Sequence, residues 1–367
     1  MPLYMDLHVV PGATPRDVAE AHHLDMMHQE QHDCKCLTYW LDEARSTVFC
    51  LIEAPEKEAV VRMHQNAHGL LPSKIIEVST SVVESFLGRL YDPANAVTTE
   101  DGLKVFTDSS FRILMFTNIT DRVLLKHKLG HDKATEFLRT FNRIVKQQLL
   151  NYGGKEAEYE GDSFVASFCS AAPAVACAMN IRKEIALLPG ADAAEFVVSV
   201  NSGEPIEKGE QFFGDTLLMA SYMCMIAPNN QITIGSKVKE LVVKEHFKGD
   251  SSNVVALTPQ DEAVLQLLFT KLEENWQDAE FDIAEYCQQT IMSKSQLYRK
   301  TVASTGLSPN VLLKNFRLEK AKELMKKQRY NISQITFDCG FTSPSYFTKC
   351  FKKKFGLLPM EYVDLLH

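Results

Sequence analysis

No stretch of this 367-residue chain approaches the roughly 18–20 uninterrupted apolar residues that a membrane-spanning helix needs. Its first residues, MPLYMDLHVV, also lack the basic, then apolar, then small-residue order of a secretion signal. Both absences lead to the expectation of a cytoplasmic protein with no membrane partner. A disulfide framework is excluded on similar grounds, because nine cysteines make an odd count without repeated spacing, as reduced thiols do. Positive charge is in short supply, with 39 Lys+Arg against 47 Asp+Glu. Spread evenly, that shortage would argue against a nucleic-acid partner, but it is not spread evenly. Residues 275–367 hold 14 Lys+Arg and 9 Asp+Glu, leaving 25 and 38 for everything before them. The basic end is where a polyanion would bind.

A chain of this length with 45% apolar residues buries more than one core, and three domains are expected. Within the basic end, FDIAEYCQQTIMSKSQLYRKTVASTG reads as a short helix, a break, and a second helix capped by Ser293. After Ser308, Pro309 takes the first position of a long helix whose apolar stripe is Leu312, Phe316, Leu324 and Met325. About 50 residues on, NISQITFDCGFTSPSYFTKCFKKKFG repeats the pattern, with Gly340 suited to a positive-φ turn and Ser343-Pro344 opening a helix.

Through LSPNVLLKNFRLEKAKELM and ISQITFDCGFTSPSYFTKCFKKKFGLLPMEY, this region resembles the DNA-binding domain of the AraC/XylS family of transcription regulators. The likeness extends from about Pro259 to the C-terminus, with Thr301 in place of an aliphatic residue and Thr336 in place of alanine. A helix whose N-terminus enters the major groove shows residues i, i+3 and i+4 to base edges. Those are Ser295, Tyr298 and Arg299 in the first unit and Ser345, Thr348 and Lys349 in the second. Arg299 is the first choice for a specific contact, since a bidentate guanidinium on guanine discriminates by ~1–3 kcal/mol. Lys352, Lys353 and Lys354 are assigned to phosphate, adding salt-dependent affinity without sequence information. An ordinary solvated basic face would explain one such unit, but not two.

Before this region, YDPANAVTTEDG reads as loose connection, and FRILMFTNITD as a buried strand entering a turn. A long amphipathic helix, Gly153-Gly154, and a hairpin tipped by Gly161-Asp162 follow. Together with Ser202-Gly203-Glu204 and FFGDTLLMAS, residues 108–245 resemble the catalytic domain of class III nucleotidyl cyclases. That family holds two magnesium ions on two aspartates, because phosphoryl transfer needs hard cations to absorb charge. The aspartate positions are Asn118 and Asp162 here; the purine-reading lysine aligns with Glu158, and the transition-state asparagine and arginine with Leu218 and Tyr222. Only Asp162 keeps the family's chemistry, so no catalysis is expected of this chain alone. A degenerate domain of this kind is left with dimerisation, giving a homodimer, with binding a small-molecule ligand, or with serving as a spacer that does neither.

At the other end, YMDLHVV alternates like a strand, and Thr14-Pro15 opens a helix running to about Asp33. CLTYWLD and STVFCLIEA flank a turn, Pro55 starts a second helix ending near Gly69, and KIIEVS closes the unit. The order β-α-β-β-α-β predicts a ferredoxin-like domain. Seven of the eleven histidines lie in its first 68 residues. His22, Asp25 and Gln29, at i, i+3 and i+7, share a face of the first helix, and His64 and His68, at i, i+4, share one of the second. Through AHHLD, Gln29, YWLDE, VFCLIEAPEKEAV and HQNAHGLLP the domain resembles small ferredoxin-like proteins described as nickel-binding. The resemblance makes His22, Asp25, Gln29, His64 and His68 candidate ligands, with Cys50 nearby in a strand, and gives no role to His28, His32, Cys34 or Cys36. Imidazole with a carboxylate suits a divalent transition metal, nickel, zinc or copper, and affinity order alone does not choose among them. The competing possibility is a histidine-rich surface helix with Cys36 and Cys50 in the core.

The expected fold class is multidomain α+β. It comprises a ferredoxin-like sensor at 1–80, a linker at 81–107, a degenerate cyclase-like α/β domain at 108–246, a linker at 247–257, and an all-α double helix-turn-helix domain at 258–367. The expected function is sequence-specific transcription regulation on double-stranded DNA, controlled by N-terminal metal sensing. Its alternatives are regulation by an organic effector and a role as partner chain of a heterodimeric cyclase.

Overall fold

Strand alternation decides how the N-terminal residues are shared between two cores. In β1 (Leu3–Val9), Tyr4, Asp6 and His8 face one side of a sheet, while Leu3, Met5 and Leu7 face the other. A computed structural model shows this arrangement and describes residues 1–119, 121–157, 163–228, 230–245, 253–327 and 331–366. The sheet is completed by β2 (Lys35–Asp42), β3 (Thr47–Glu53) and β4 (Lys74–Val78) in the antiparallel order β2-β3-β1-β4. Helices α1 (Pro15–His28) and α2 (Lys57–Ala67) lie on the side of Tyr4 and Asp6. This is the ferredoxin-like arrangement. A capping box between Thr14 and Asp17, followed by Pro15, fixes the start of α1. The helix ends earlier than the sequence suggests, at His28, and a 3-10 turn, Gln29–His32, follows it. Pro55 stands outside α2, whose N-cap is Glu56.

Residues 81–107, expected as a linker, are packed into the protein. Helix α3 (Thr80–Leu87) buries Val83, Phe86 and Leu87 against the outer face of the N-terminal sheet. A ribbon, β5 (Val97–Thr98) with β6 (Lys104–Val105), leads to Phe106, which stacks on Tyr39 with ring centroids 4.1 Å apart. Its first part is apolar at helical spacing, through Val83, Phe86 and Leu87, and only the stretch from Asp92 has the composition of a loop.

The middle unit is a six-stranded sheet of order β12-β11-β10-β7-β9-β8. Its strands are β7 (Arg112–Ile119), β8 (Lys155–Ala157), β9 (Phe164–Phe168), β10 (Phe196–Gly203), β11 (Ile232–Ile234) and β12 (Val254–Ala256). β12 lies in what the sequence suggests is a second linker. Gly130, at φ 80°, divides the single long helix expected before Gly153 into α4 (Arg122–Leu129) and α5 (His131–Tyr152). α6 (Ala171–Ile185), α7 (Gly214–Ile226) and α8 (Ser236–Lys244) complete the unit. Ile113 and Met115 of β7 face α5 and α6, while Leu114 and Phe116 share a core with α7, Met5, Phe49 and Leu51. The N-terminal and middle units are therefore joined by a common apolar layer.

The remaining helices are α9 (Pro259–Asn275), α10 (Ile283–Thr290), α11 (Lys294–Thr305), α12 (Pro309–Lys326), α13 (Ile332–Asp338), α14 (Pro344–Phe355) and α15 (Pro359–Asp364). Two helix-turn-helix units, α10–α11 and α13–α14, hang on α12, which gives Leu312 and Phe316 to the first core and Leu318 and Met325 to the second. Both units dock on the middle unit. Tyr222 of α7 stacks on Phe269 of α9 at 4.3 Å, with Met219 and Met223 in the same cluster. Val123 and Leu124 of α4 enter the second unit's core, and Asp121 accepts from the Tyr362 hydroxyl and pairs with Lys326, each at 2.8 Å. Among the described residues no helix is long and apolar enough to cross a membrane, and all nine cysteines are free thiols.

Candidate functional site

In the N-terminal unit, His22 and Asp25 of α1, His64 of α2 with His68 just beyond it, and His8 of β1 converge on a cavity of about 70 Å³ that Cys50 also lines. His64 is the hub. Its Nδ1 lies 2.9 Å from Asp25 Oδ1 and 3.2 Å from His68 Nε2, and its Nε2 lies 2.7 Å from Asp6 Oδ2. His68 Nε2 is also 3.1 Å from Asp25 Oδ1. Two donor sets result, Asp25-His64-His68 and Asp6-His8-His64, each with its atoms within 4.8 Å of one another.

Asp6 and His8 escape a search for helical histidine pairs, although their spacing of two within YMDLHVV places them on one face of a strand. Gln29 goes elsewhere. With α1 ended at His28, the i+7 spacing no longer holds it on the face of His22 and Asp25, and its Oε1 accepts from Cys36 N at 2.8 Å.

Burial by itself would neutralise these groups, raising the carboxyls and lowering the imidazole, but opposite charges face each other across the cluster. His8 and His64 hold Asp6 well below the usual carboxylate range, and His64 and His68 lower Asp25. Against its own burial, His64 is lifted to about 10 by Asp6 and Asp25. Burial lowers His22 and leaves both its ring nitrogens without a hydrogen-bond partner, while His8 Nε2 makes no hydrogen bond but faces Asp6 Oδ1 at 3.4 Å. A cluster built for packing alone would satisfy such atoms. Orphaned imidazole nitrogens beside an imidazole–carboxylate hub fit a divalent transition ion, which His22, Asp25, His64, His68 and His8 would hold.

The positions expected from the cyclase resemblance lie only partly among the described residues. Glu158 and Asp162 lie outside those residues, and Asn118 pairs with Val197 in the sheet. Leu218 is partly exposed on α7, whereas Tyr222, one turn on, is buried beneath α9. The surface around Tyr222 is thus covered by a helix of the same chain.

On the C-terminal helices, Ser293 and Gln296 form a capping box that starts α11, and Ser343 caps α14. Ser295, Tyr298, Arg299, Ser345 and Lys349 are exposed on these two helices, and Thr348 is half-buried. Lys352 and Lys353 are exposed as well, but Lys354 is drawn back to Glu319 of α12 at 2.8 Å and is not free for phosphate in this arrangement. Thr301 and Thr336, the two departures from the family pattern, are fully buried and return their hydroxyls to Leu297 O at 2.7 Å and Ile332 O at 2.8 Å.

Two family models match the chain. The one described as "Nickel responsive protein SCO4226-like" covers residues 4–78, and the one described as "Helix-turn-helix domain" covers residues 286–364. "Histidine kinase P4" of Formosa agariphila is 36% identical over 123 residues, 32% of this chain but 9% of that protein. The transcriptional activator RhaR of Yersinia pestis is 29% identical over 123 residues, 33% of this chain and 41% of that protein. The chain therefore spans less than half the length of these relatives. Among solved structures, SCO4226 from Streptomyces coelicolor is 34% identical over 22% of this chain and 98% of its own, with a TM-score of 0.21. An adenylate/guanylate cyclase/hydrolase from Silicibacter pomeroyi is 16% identical over 37% and 81%, with a TM-score of 0.32.

The C-terminal helices form a helix-turn-helix module of the kind found in transcription regulators. More particularly, the chain joins an AraC-type module to an SCO4226-like N-terminal domain.

Proposed function

We propose that this protein is a transcription regulator that reads double-stranded DNA through α11 and α14, and that a divalent transition metal in the N-terminal unit adjusts that reading. Arg299, with Ser295 and Tyr298, reads bases from the first unit; Ser345, Thr348 and Lys349 do so from the second, and Lys352 and Lys353 contact phosphate. The observation that carries the proposal is the continuity of packing. β1 holds Asp6 and His8 on one face and Met5 on the other, Met5 shares a core with Ala220 and Cys224 of α7, and Met219, Tyr222 and Met223 of α7 meet α9. A metal that favours one arrangement of the N-terminal unit can bias the first reading helix along this path, by no more than its differential affinity for the two arrangements.

Nickel, zinc and copper all suit the donor set. An organic effector is not favoured at the same place, because a cavity of about 70 Å³ is far smaller than the ~300–1,000 Å³ of small-molecule pockets. The middle unit serves as the scaffold that holds the two reading units, and a homodimer would pair through surfaces other than the one α9 covers.

Selection of bound duplexes from a randomised pool, followed by gel retardation with metal-stripped and nickel-loaded protein, tests the proposal. A common motif recovered by wild type, with preference at one base pair of it relaxed in Arg299→Ala, is expected. Recovery of no motif, with the same weak binding to every duplex, would refute the DNA-reading role.

A further inference from the structure

We infer that Asp6 is the positioning carboxylate of the metal centre, gripping His64 by Nε2 so that Nδ1 is presented to Asp25, His68 and the cavity. The inference rests on the metal reading proposed above and divides roles within it. Two carboxylates flank one imidazole, and their surroundings differ. Asp25 lines the cavity, and its Oδ1 lies between His64 Nδ1 and His68 Nε2. Asp6 does not line it. It is 1% exposed, and both oxygens are engaged: Oδ2 accepts from His64 Nε2 at 2.7 Å, and Oδ1 accepts from the backbone N–H of Cys50 at 3.2 Å.

The second bond ties the carboxylate to the sheet. Asp6 and Cys50 are direct cross-strand partners in the β1–β3 ladder, so the position of Asp6 is set by strand register as well as by its own rotamer. An ion taken up on the Nε2 side would have to displace the bond to His64 and compete with the Cys50 N–H for the Asp6 carboxylate. An ion on the Nδ1 side leaves both bonds intact. It also meets the orphaned nitrogens of His22, which belong to the same cavity. A carboxylate on the far nitrogen of a ligating histidine fixes the ring and strengthens it as a donor, and losing such a partner lowers metal affinity 10–100-fold.

The test compares wild type with Asp6→Asn, which keeps the shape and can still accept from Cys50 N–H but replaces the carboxylate facing His64 with an amide. Metal-stripped full-length protein is titrated with nickel by calorimetry and with cobalt(II) by absorption. The expected result is a Kd raised about 10–100-fold and a cobalt spectrum at saturation with the wild-type coordination number, with a lowered metal-free melting temperature because His64 loses a buried partner. His68→Ala, which removes a ligand, should instead change the cobalt spectrum. A Kd within twofold of wild type, or a changed coordination number in Asp6→Asn, would overturn the inference. Anomalous diffraction from nickel-soaked wild-type crystals decides it independently of how the variant folds: a peak beside His64 Nδ1 supports it, and one between Nε2 and Asp6 sinks it. If wild type binds neither ion, the metal reading itself fails and takes this inference with it.

Discussion

The two helix-turn-helix units follow one plan but make their turns with different residues. In the second, Gly340 takes φ 69°, and a Cβ there would lie 2.7 Å from the Trp276 carbonyl oxygen and 3.0 Å from the Arg317 guanidinium. In the first, Ile291 takes φ 55° and is 93% exposed. A β-branched residue in that region is strained by of order 1–3 kcal/mol. Space explains the difference: Trp276 and Arg317 press on the second turn, and open solvent surrounds the first. Docking differs too. The first unit stacks Phe269 on Tyr222 of α7 and binds Ser236 N and Oγ of α8 through Glu262 at 2.6 and 2.7 Å, whereas the second is held by the clasp of Asp121 with Lys326 and Tyr362. Both units are latched by polar contacts, and the first also stacks on α7, the helix that carries part of the shared core.

The comparison breaks most sharply at Gly340. Gly340→Ala combines a forbidden contact with positive φ and should lower unfolding free energy by about 2–3 kcal/mol in urea titration. An unchanged midpoint would mean that the turn is not under the constraint described.

The latch comes next. Burial alone would raise the Asp121 carboxyl, but Lys322, Lys326 and the Tyr362 hydroxyl hold it below its unfolded value. A depressed folded pKa stabilises above the unfolded pKa of about 4 and is lost as pH falls through the folded value. Asp121→Asn should therefore cost about 1.5–3 kcal/mol at neutral pH and flatten the acid limb of the stability profile. A variant with the wild-type acid limb would show that the clasp carries no stability.

Arg299→Ala should cost ~1–3 kcal/mol of affinity and relax choice at one base pair. Uniform weakening across all duplexes would instead make Arg299 a phosphate contact. The smallest effect belongs to the strained turn, where Ile291→Gly exchanges steric strain for chain entropy and should raise the melting temperature, by up to about 1 kcal/mol of stability. A lower melting temperature would show that the isoleucine is held by a contact.

Much of this was legible because it is written in short-range pattern. Thr14-Pro15, Ser293 and Ser343-Pro344 mark helix starts through backbone donors within three residues of each cap, and the structure begins helices at each. The ferredoxin-like order follows from alternation and turn signals in the same way. What local pattern could not carry was packing across the chain. Phe106 follows a loop-like stretch in the sequence and becomes core only because Tyr39 of a distant strand meets it. Tyr222, expected from the cyclase resemblance at a catalytic position, is stacked on by Phe269, 47 residues further along. In the metal cluster, the helical pairs His22/Asp25 and His64/His68 stood out by spacing, whereas Asp6 and His8 belong to a strand whose partner face is set by the fold. Gln29 was misplaced by one early helix end.

The most direct test of the metal's control over DNA reading is the affinity of the full-length chain for its selected duplex, measured at fixed salt with metal-stripped and with nickel-loaded protein. Coupling through the shared core predicts a change of at least about fivefold, the lower end of ordinary allosteric coupling, that disappears in His64→Ala. Equal affinities in both states, with metal shown to be bound, would contradict it and leave the N-terminal unit as a metal-binding domain with no hold on the reading helices.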